Sequence, residues 1–219
     1  MRNIPCKLTV IKLLLLFVAI IASPSWAEVS NPQVMLSTEK GDIVVELFPK
    51  QAPITVDNFV KLVNEYHYDG LIFHRVIKGF MIQSGGFTFD LTRRESPRSA
   101  IVNESMNGLK NKRGTIAMAR MADPDSAEAQ FFINHKSNRT LNAREDQMGY
   151  AVFGQVISGM DVVDAIASVE THAVSYYRDV PVEAIRILSA RLLNPETWVA
   201  LPEQQRSETL SFERPIPIR

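Results

Sequence analysis

Phe73-His74-Arg75-Val76-Ile77-Lys78-Gly79-Phe80-Met81-Ile82-Gln83-Ser84-Gly85-Gly86 is the stretch on which the fold turns. Apolar runs at 71–76 and 80–83 flank a Lys-Gly turn and stop at a glycine pair, the pattern of two short strands. Arg75 stands among Phe73, Val76, Ile77, Phe80 and Met81. A guanidinium in such company is costly unless it reaches solvent, a carboxylate or a ligand.

Upstream, β-branched runs at 34–38 and 43–48 are joined by Glu39-Lys40-Gly41-Asp42, the chemistry of a hairpin. After Pro53 the period changes. Val56, Phe59, Val60 and Val63 recur at helical spacing behind Thr55, which predicts an amphipathic helix capped by Thr55 and ending near Tyr66. Downstream, short strands are predicted at 115–118, 130–133, 150–156 and 182–190. A second helix is predicted after Ser158, with Asp161 completing the cap and Met160, Val163 and Ala167 on one face. Eight antiparallel strands and two helices exclude a doubly wound α/β sheet. The expected class is mainly β, a closed eight-stranded antiparallel barrel with a helix over each end. Residues 85–113 form a long polar connection of a kind that is usually functional or mobile.

Composition narrows the function. The chain has 219 residues, 46% hydrophobic and 22% charged, which is enough for one buried core. Its 24 basic residues balance its 24 acidic ones, and no basic stripe stands out along the sequence. Nucleic-acid binding is therefore not expected. Cys6 is the single cysteine, so a disulfide framework, a thiolate metal cluster and a CxxC redox site are all excluded.

Residues 1–27 read as a secretory signal peptide. Arg2, Lys7 and Lys12 precede an apolar run at 13–22, and Ser25-Trp26-Ala27 offers a cleavage site. The run is far shorter than the roughly 20 residues of a membrane span. Cleavage after Ala27 leaves a cysteine-free, mildly acidic chain that is indifferent to an oxidising compartment. The expected location is periplasmic or secreted, with no membrane association after cleavage. Asn103-Glu104-Ser105 and Asn138-Arg139-Thr140 are glycosylation triplets and point weakly to a eukaryotic route. Residues 28–193 are the expected domain. Residues 194–219, with Pro195, Pro202, Pro215 and Pro217, are the expected C-terminal extension, of unreadable purpose.

GxSxG, P-loop, GxGxxG and HExxH motifs are all absent, and His67, His74, His135 and His172 lack metal-ligand spacing. No metal or cofactor is expected. The opening stretch, taken with Gly114-Thr115-Ile116-Ala117-Met118-Ala119-Arg120 and Gln130-Phe131-Phe132-Ile133, resembles the cyclophilin-type peptidyl-prolyl cis-trans isomerases, especially their exported bacterial members. The likeness spans about residues 33–193.

The resemblance implies an isomerase of X-Pro bonds that assists folding of exported proteins, with proline-containing polypeptides as partners and a monomeric state. Arg75 is implied as the catalytic donor. Phe80, Met81, Gln83, Ala119, Arg120, Gln130, Phe132, Leu141 and Tyr150 are implied to bind substrate, while the histidine at position 74 belongs to the scaffold. The chain departs from the family pattern at Lys78, where many relatives carry proline, at Ser84, where they carry glycine, and at Tyr150, where animal members carry a histidine. Thr140 replaces the tryptophan that lines the rim in animal cyclophilins, which bears on cyclosporin binding more than on turnover. The alternative from another class is a catalytically idle proline-peptide-binding module or chaperone.

Overall fold

Alternation decides which side of each strand faces inward. In a computed structural model, which describes residues 30–201, β1 (Gln33–Thr38) and β2 (Gly41–Leu47) pair antiparallel as the predicted hairpin. Val34, Leu36, Ile43, Val45 and Leu47 are fully buried on its inner face. Helix α1 (Pro53–Asn64) follows, then β3 (Arg75–Ile77), β4 (Met81–Ser84), β5 (Thr115–Met118), β6 (Phe131–Asn134) and β7 (Val152–Ser158). Helix α2 (Met160–Ala167) precedes β8 (Thr171–Val174), β9 (Tyr177–Pro181) and β10 (Ile187–Leu192). The expected signal peptide, residues 1–27, and residues 202–219 of the expected extension lie outside the described residues.

The main sheet runs in the order β10-β1-β2-β7-β5-β6-β4-β3. The expected closed barrel is corrected here, because the two end strands form no ladder with each other and the sheet is an open half-barrel. Across that seam run only an isolated bridge, Ile72 to Arg186, and a few backbone bonds such as Phe73 N to the Ile185 carbonyl (2.9 Å). Closure fails because β3 is three residues long and β9 packs against it. The β8–β9 hairpin was not expected from the sequence, since its short strands are largely exposed and carry no period-2 apolar pattern. The last strand also begins at Ile187 rather than at residue 182.

Both helix caps differ from expectation. Thr55 lies inside α1, and the free amides of Ile54 and Thr55 donate to the Glu104 carboxylate at 3.1 and 2.8 Å. A side chain from the long connection therefore satisfies the helix start. Ser158 ends β7, and Gly159 at φ +85° occupies the α2 cap, where a Cβ would collide with the Asp42 carbonyl oxygen. Residues 85–113 are tied down further by Arg94, which donates to the carbonyls of His67 and Asp69 (both 2.8 Å). Of the extension, Trp198 packs on the core and the Leu201 amide donates to Asp57 at 3.0 Å.

The curved sheet carries apolar residues on both faces. Val76, Ile82, Ile116, Phe131, Ile133 and Phe153 join the main core beneath both helices. Met81, Ala117, Phe132 and Val152 form a second cluster on the opposite face, flanked by Ile77, Phe80, Leu109, Ala119, Leu141 and Tyr150. Every residue of β6 is buried as a result, as expected of a strand packed on both sides.

Candidate functional site

Register places the site. Arg75 pairs with Gln83, Gln83 with Phe132, Phe132 with Ala117, and Ala117 with Val152, so one transverse row crosses β3, β4, β6, β5 and β7. Directly paired residues share a face of the sheet, so the Arg75 and Gln83 side chains stand on the same face as the second apolar cluster. Six of the predicted binding residues, Phe80, Met81, Ala119, Phe132, Leu141 and Tyr150, belong to that cluster.

Polar groups border it. The Gln83 amide donates to Gln130 Oε1 at 2.9 Å, and Gly86 makes room for the Gln130 side chain, which a Cβ there would strike. A cavity of about 110 Å³ lies beyond this pair, between Gly86, Arg94, Ala119, Met121 and Ser126. On the other flank Thr140, Leu141, Gln147 and Tyr150 line a depression of about 500 Å³. A third depression, by Glu39, Glu170 and Glu183, holds none of the predicted site residues. Phe132 and Tyr150 meet edge to face at 5.6 Å.

Arg75 is half-exposed, and its Nε lies 3.7 Å from Asp179 Oδ2 on the β8–β9 hairpin. The guanidinium thus reaches two of the three things that relieve a charge on an apolar strand, solvent and a carboxylate. No sequence signal pointed to Asp179. Arg120 is also brought to the site, but its nitrogens donate to main-chain carbonyls. Nε reaches Gly149 (3.1 Å), one terminal nitrogen reaches Met121 and Ala122 (2.9 and 3.3 Å), and the other reaches Met148 (3.0 Å). Its donors are thereby engaged by the protein's own backbone.

The rim turn Arg139–Leu141 rests on buried asparagines that sequence reading passed over. Asn134 donates to Asn111 at 3.1 Å, Asn138 donates to Asn134 at 2.7 Å, and the Asn111 amide donates to Asn142 at 2.7 Å. Asn138 and Asn103 are buried and both side-chain amides donate to carbonyls, so neither glycosylation triplet presents an acceptor. Next to Arg75, burial lowers the His74 pKa to about 4 and keeps the ring neutral against Phe87, at 4.6 Å. A neutral, enclosed ring fits the scaffold role.

Matches to known proteins bear on the family and the fold. Residues 33–192 match the family model described as cyclophilin type peptidyl-prolyl cis-trans isomerase/CLD. The chain is 46% identical over 171 residues to peptidyl-prolyl cis-trans isomerase A of Dickeya dadantii, covering 78% of this chain and 90% of that protein. It is 52% identical over 163 residues to peptidyl-prolyl cis-trans isomerase cyp18 of Streptomyces antibioticus, covering 73% and 98%. A crystal structure of a Cryptosporidium parvum cyclophilin type isomerase, obtained in the presence of the dipeptide Ala-Pro, superposes with a TM-score of 0.60 at 28% identity, covering 73% of this chain and 98% of that one. The chain belongs to the cyclophilin type peptidyl-prolyl cis-trans isomerases.

Proposed function

We propose that this chain is an exported isomerase that speeds rotation about X-Pro bonds in proline-containing polypeptides folding outside the cytoplasm, with Arg75 as its catalytic donor. The uncatalysed barrier is about 20 kcal/mol because rotation breaks amide resonance. At the twisted transition state the carbonyl loses dipole and the imide nitrogen gains a lone pair that can accept a hydrogen bond. An apolar pocket and a cationic donor aimed at that nitrogen both favour the twisted form. Phe80, Met81, Phe132 and Leu141 supply the pocket, and Gln83 and Gln130 hold the peptide backbone beside it.

A charged hydrogen bond contributes about 1.5–3 kcal/mol. Five decades of acceleration require roughly 7 kcal/mol. Desolvation and shape in the pocket provide the difference. The observation that carries the reading is the transverse row that sets Arg75 and Gln83 in line with Phe132. Export rests on the charged, apolar and small-residue segments of residues 1–27.

Turnover of an Ala-Pro tetrapeptide, followed by isomer-specific proteolysis, tests the assignment. Arg75→Ala is expected to lower kcat/KM at least tenfold with the melting transition intact. Full activity in that variant overturns the role of Arg75. Mass spectrometry of the native protein is expected to find Glu28 at its N-terminus, and retention of Cys6 overturns export.

A further inference from the structure

Most of the groove is built from three segments that contain no acidic residue, with Tyr150 and Val152 of the pocket and Asp179 beside Arg75 standing outside them. Residues 71–89, 105–122 and 129–144 hold neither Asp nor Glu, although the chain has 24 of them. The fold ties these segments together on one side of the groove. Asn138 N donates to the Asn111 carbonyl at 2.7 Å, Gly79 N to His135 Nδ1 at 2.9 Å, and Asn138 Nδ2 to the Phe80 carbonyl at 2.8 Å. Lys78, Lys110, Lys112, Lys136 and Arg139 are carried on them, and all five are exposed. Among the described residues none of the five is paired with a carboxylate. The nearby Asp164 is already taken by Arg113 (2.8 Å) and His135 (3.1 Å).

We propose that these five cations form a docking surface for acidic polypeptide, so that the isomerase favours X-Pro bonds with Asp or Glu a few residues from the proline. The proposal rests on the isomerase reading above and adds the substrate class. A polypeptide is the fitting occupant because the cations are continuous with the groove. Lys78 is two residues from Phe80, Lys110 follows Leu109, and Arg139 is two residues from Leu141, three apolar members of the pocket cluster. A chain leaving the proline pocket on this flank crosses them. The balanced composition conceals the patch, since its members are scattered over more than sixty positions and only the fold assembles them. Exposed charges of one sign chiefly raise the encounter rate and select among partners, and salt weakens both effects.

The test uses three tetrapeptide-derived substrates of equal length around one Ala-Pro bond, flanked by glutamates, by lysines or by neutral residues. At low ionic strength the glutamate peptide is expected to show a kcat/KM at least fivefold above the lysine peptide, with the ratio falling towards one at 1 M salt. The triple variant K110E/K112E/K136E is expected to abolish or reverse the ratio while leaving the neutral peptide and the melting transition unchanged. Equal rates for glutamate and lysine peptides, with the neutral peptide turned over, overturn the docking surface and leave the isomerase reading standing. Failure to turn over the neutral peptide overturns both. An oligonucleotide or anionic vesicle that binds the wild type more tightly than the glutamate peptide, and loses binding in the triple variant, also overturns the polypeptide assignment.

Discussion

The Arg120 guanidinium sits 4.7 Å from the centre of the Tyr150 ring while all three of its nitrogens donate to backbone carbonyls on either side. One side chain thereby staples residues 121–122 to residues 148–149 and holds the aromatic wall of the pocket. Arg120→Ala is expected to lower stability by about 1–3 kcal/mol and to raise KM more than it lowers kcat. Arg120→Lys is expected to restore little, because an ammonium has no planar fork with which to reach several carbonyls. Denaturant melts and steady-state rates check both variants, and full rescue by lysine contradicts the staple.

Asp179 engages the Nε edge of Arg75, which leaves the terminal nitrogens for an imide. Its backbone is left-handed, at φ +59°, a conformation that Asn also tolerates. Asp179→Asn therefore removes the charge without straining the turn. Pairs this exposed are worth at most about 1 kcal/mol, so a loss of up to about fivefold in kcat is expected, with KM and melting temperature unchanged. Loss of the cooperative melt in this variant contradicts a positioning role.

His74 gives a pH dependence of stability. Its pKa is lowered by burial from the ordinary 6.5 to about 4, so between those values the unfolded chain binds a proton that the folded chain refuses. Stability is therefore complete above about pH 6.5 and falls as the pH drops towards 4, by up to about 3 kcal/mol. The buried His67 is shifted in the same direction by burial and adds to the slope. Melting temperatures across this window check the prediction. His74→Gln is expected to flatten the acid limb.

Thr140 is exposed at the rim beside Leu141 and Tyr150 and offers neither a large apolar face nor an N–H donor. Losing one aromatic contact typically costs about 2 kcal/mol of binding, roughly thirtyfold in affinity. Weak cyclosporin sensitivity is expected, and Thr140→Trp is expected to raise it with little change in turnover. Inhibition titrations check this, and nanomolar inhibition of the wild type contradicts it.

Legibility followed the range of the forces involved. The β1–β2 hairpin, both helices and most strands were readable because their apolar spacing is local and their inner faces are buried throughout. Met81 and Phe132 were nameable because the motifs that carry them are contiguous, whereas Leu141, outside those motifs, was named only through the family resemblance. Asp179, the Glu104 cap, the Arg120 staple and the asparagines under the rim were not, since each bond joins residues that no local pattern relates. Glu104 caps a helix 49 positions away, and Asn111 supports a loop 31 positions on. The seam between β3 and β10 is invisible for the same reason.

The two-faced sheet separates tasks by parity. In β3, β4 and β5 the odd positions Arg75, Ile77, Met81, Gln83 and Ala117 face the groove, while the even positions Val76, Ile82 and Ile116 face the core. In β6 the parity is reversed, with Phe132 outward between Phe131 and Ile133. A mutational library restricted to the outward set changes the groove and its own apolar cluster while the larger core beneath the helices keeps its residues. Ligand choice and the packing beneath the helices are thus governed by alternating positions along the same strands.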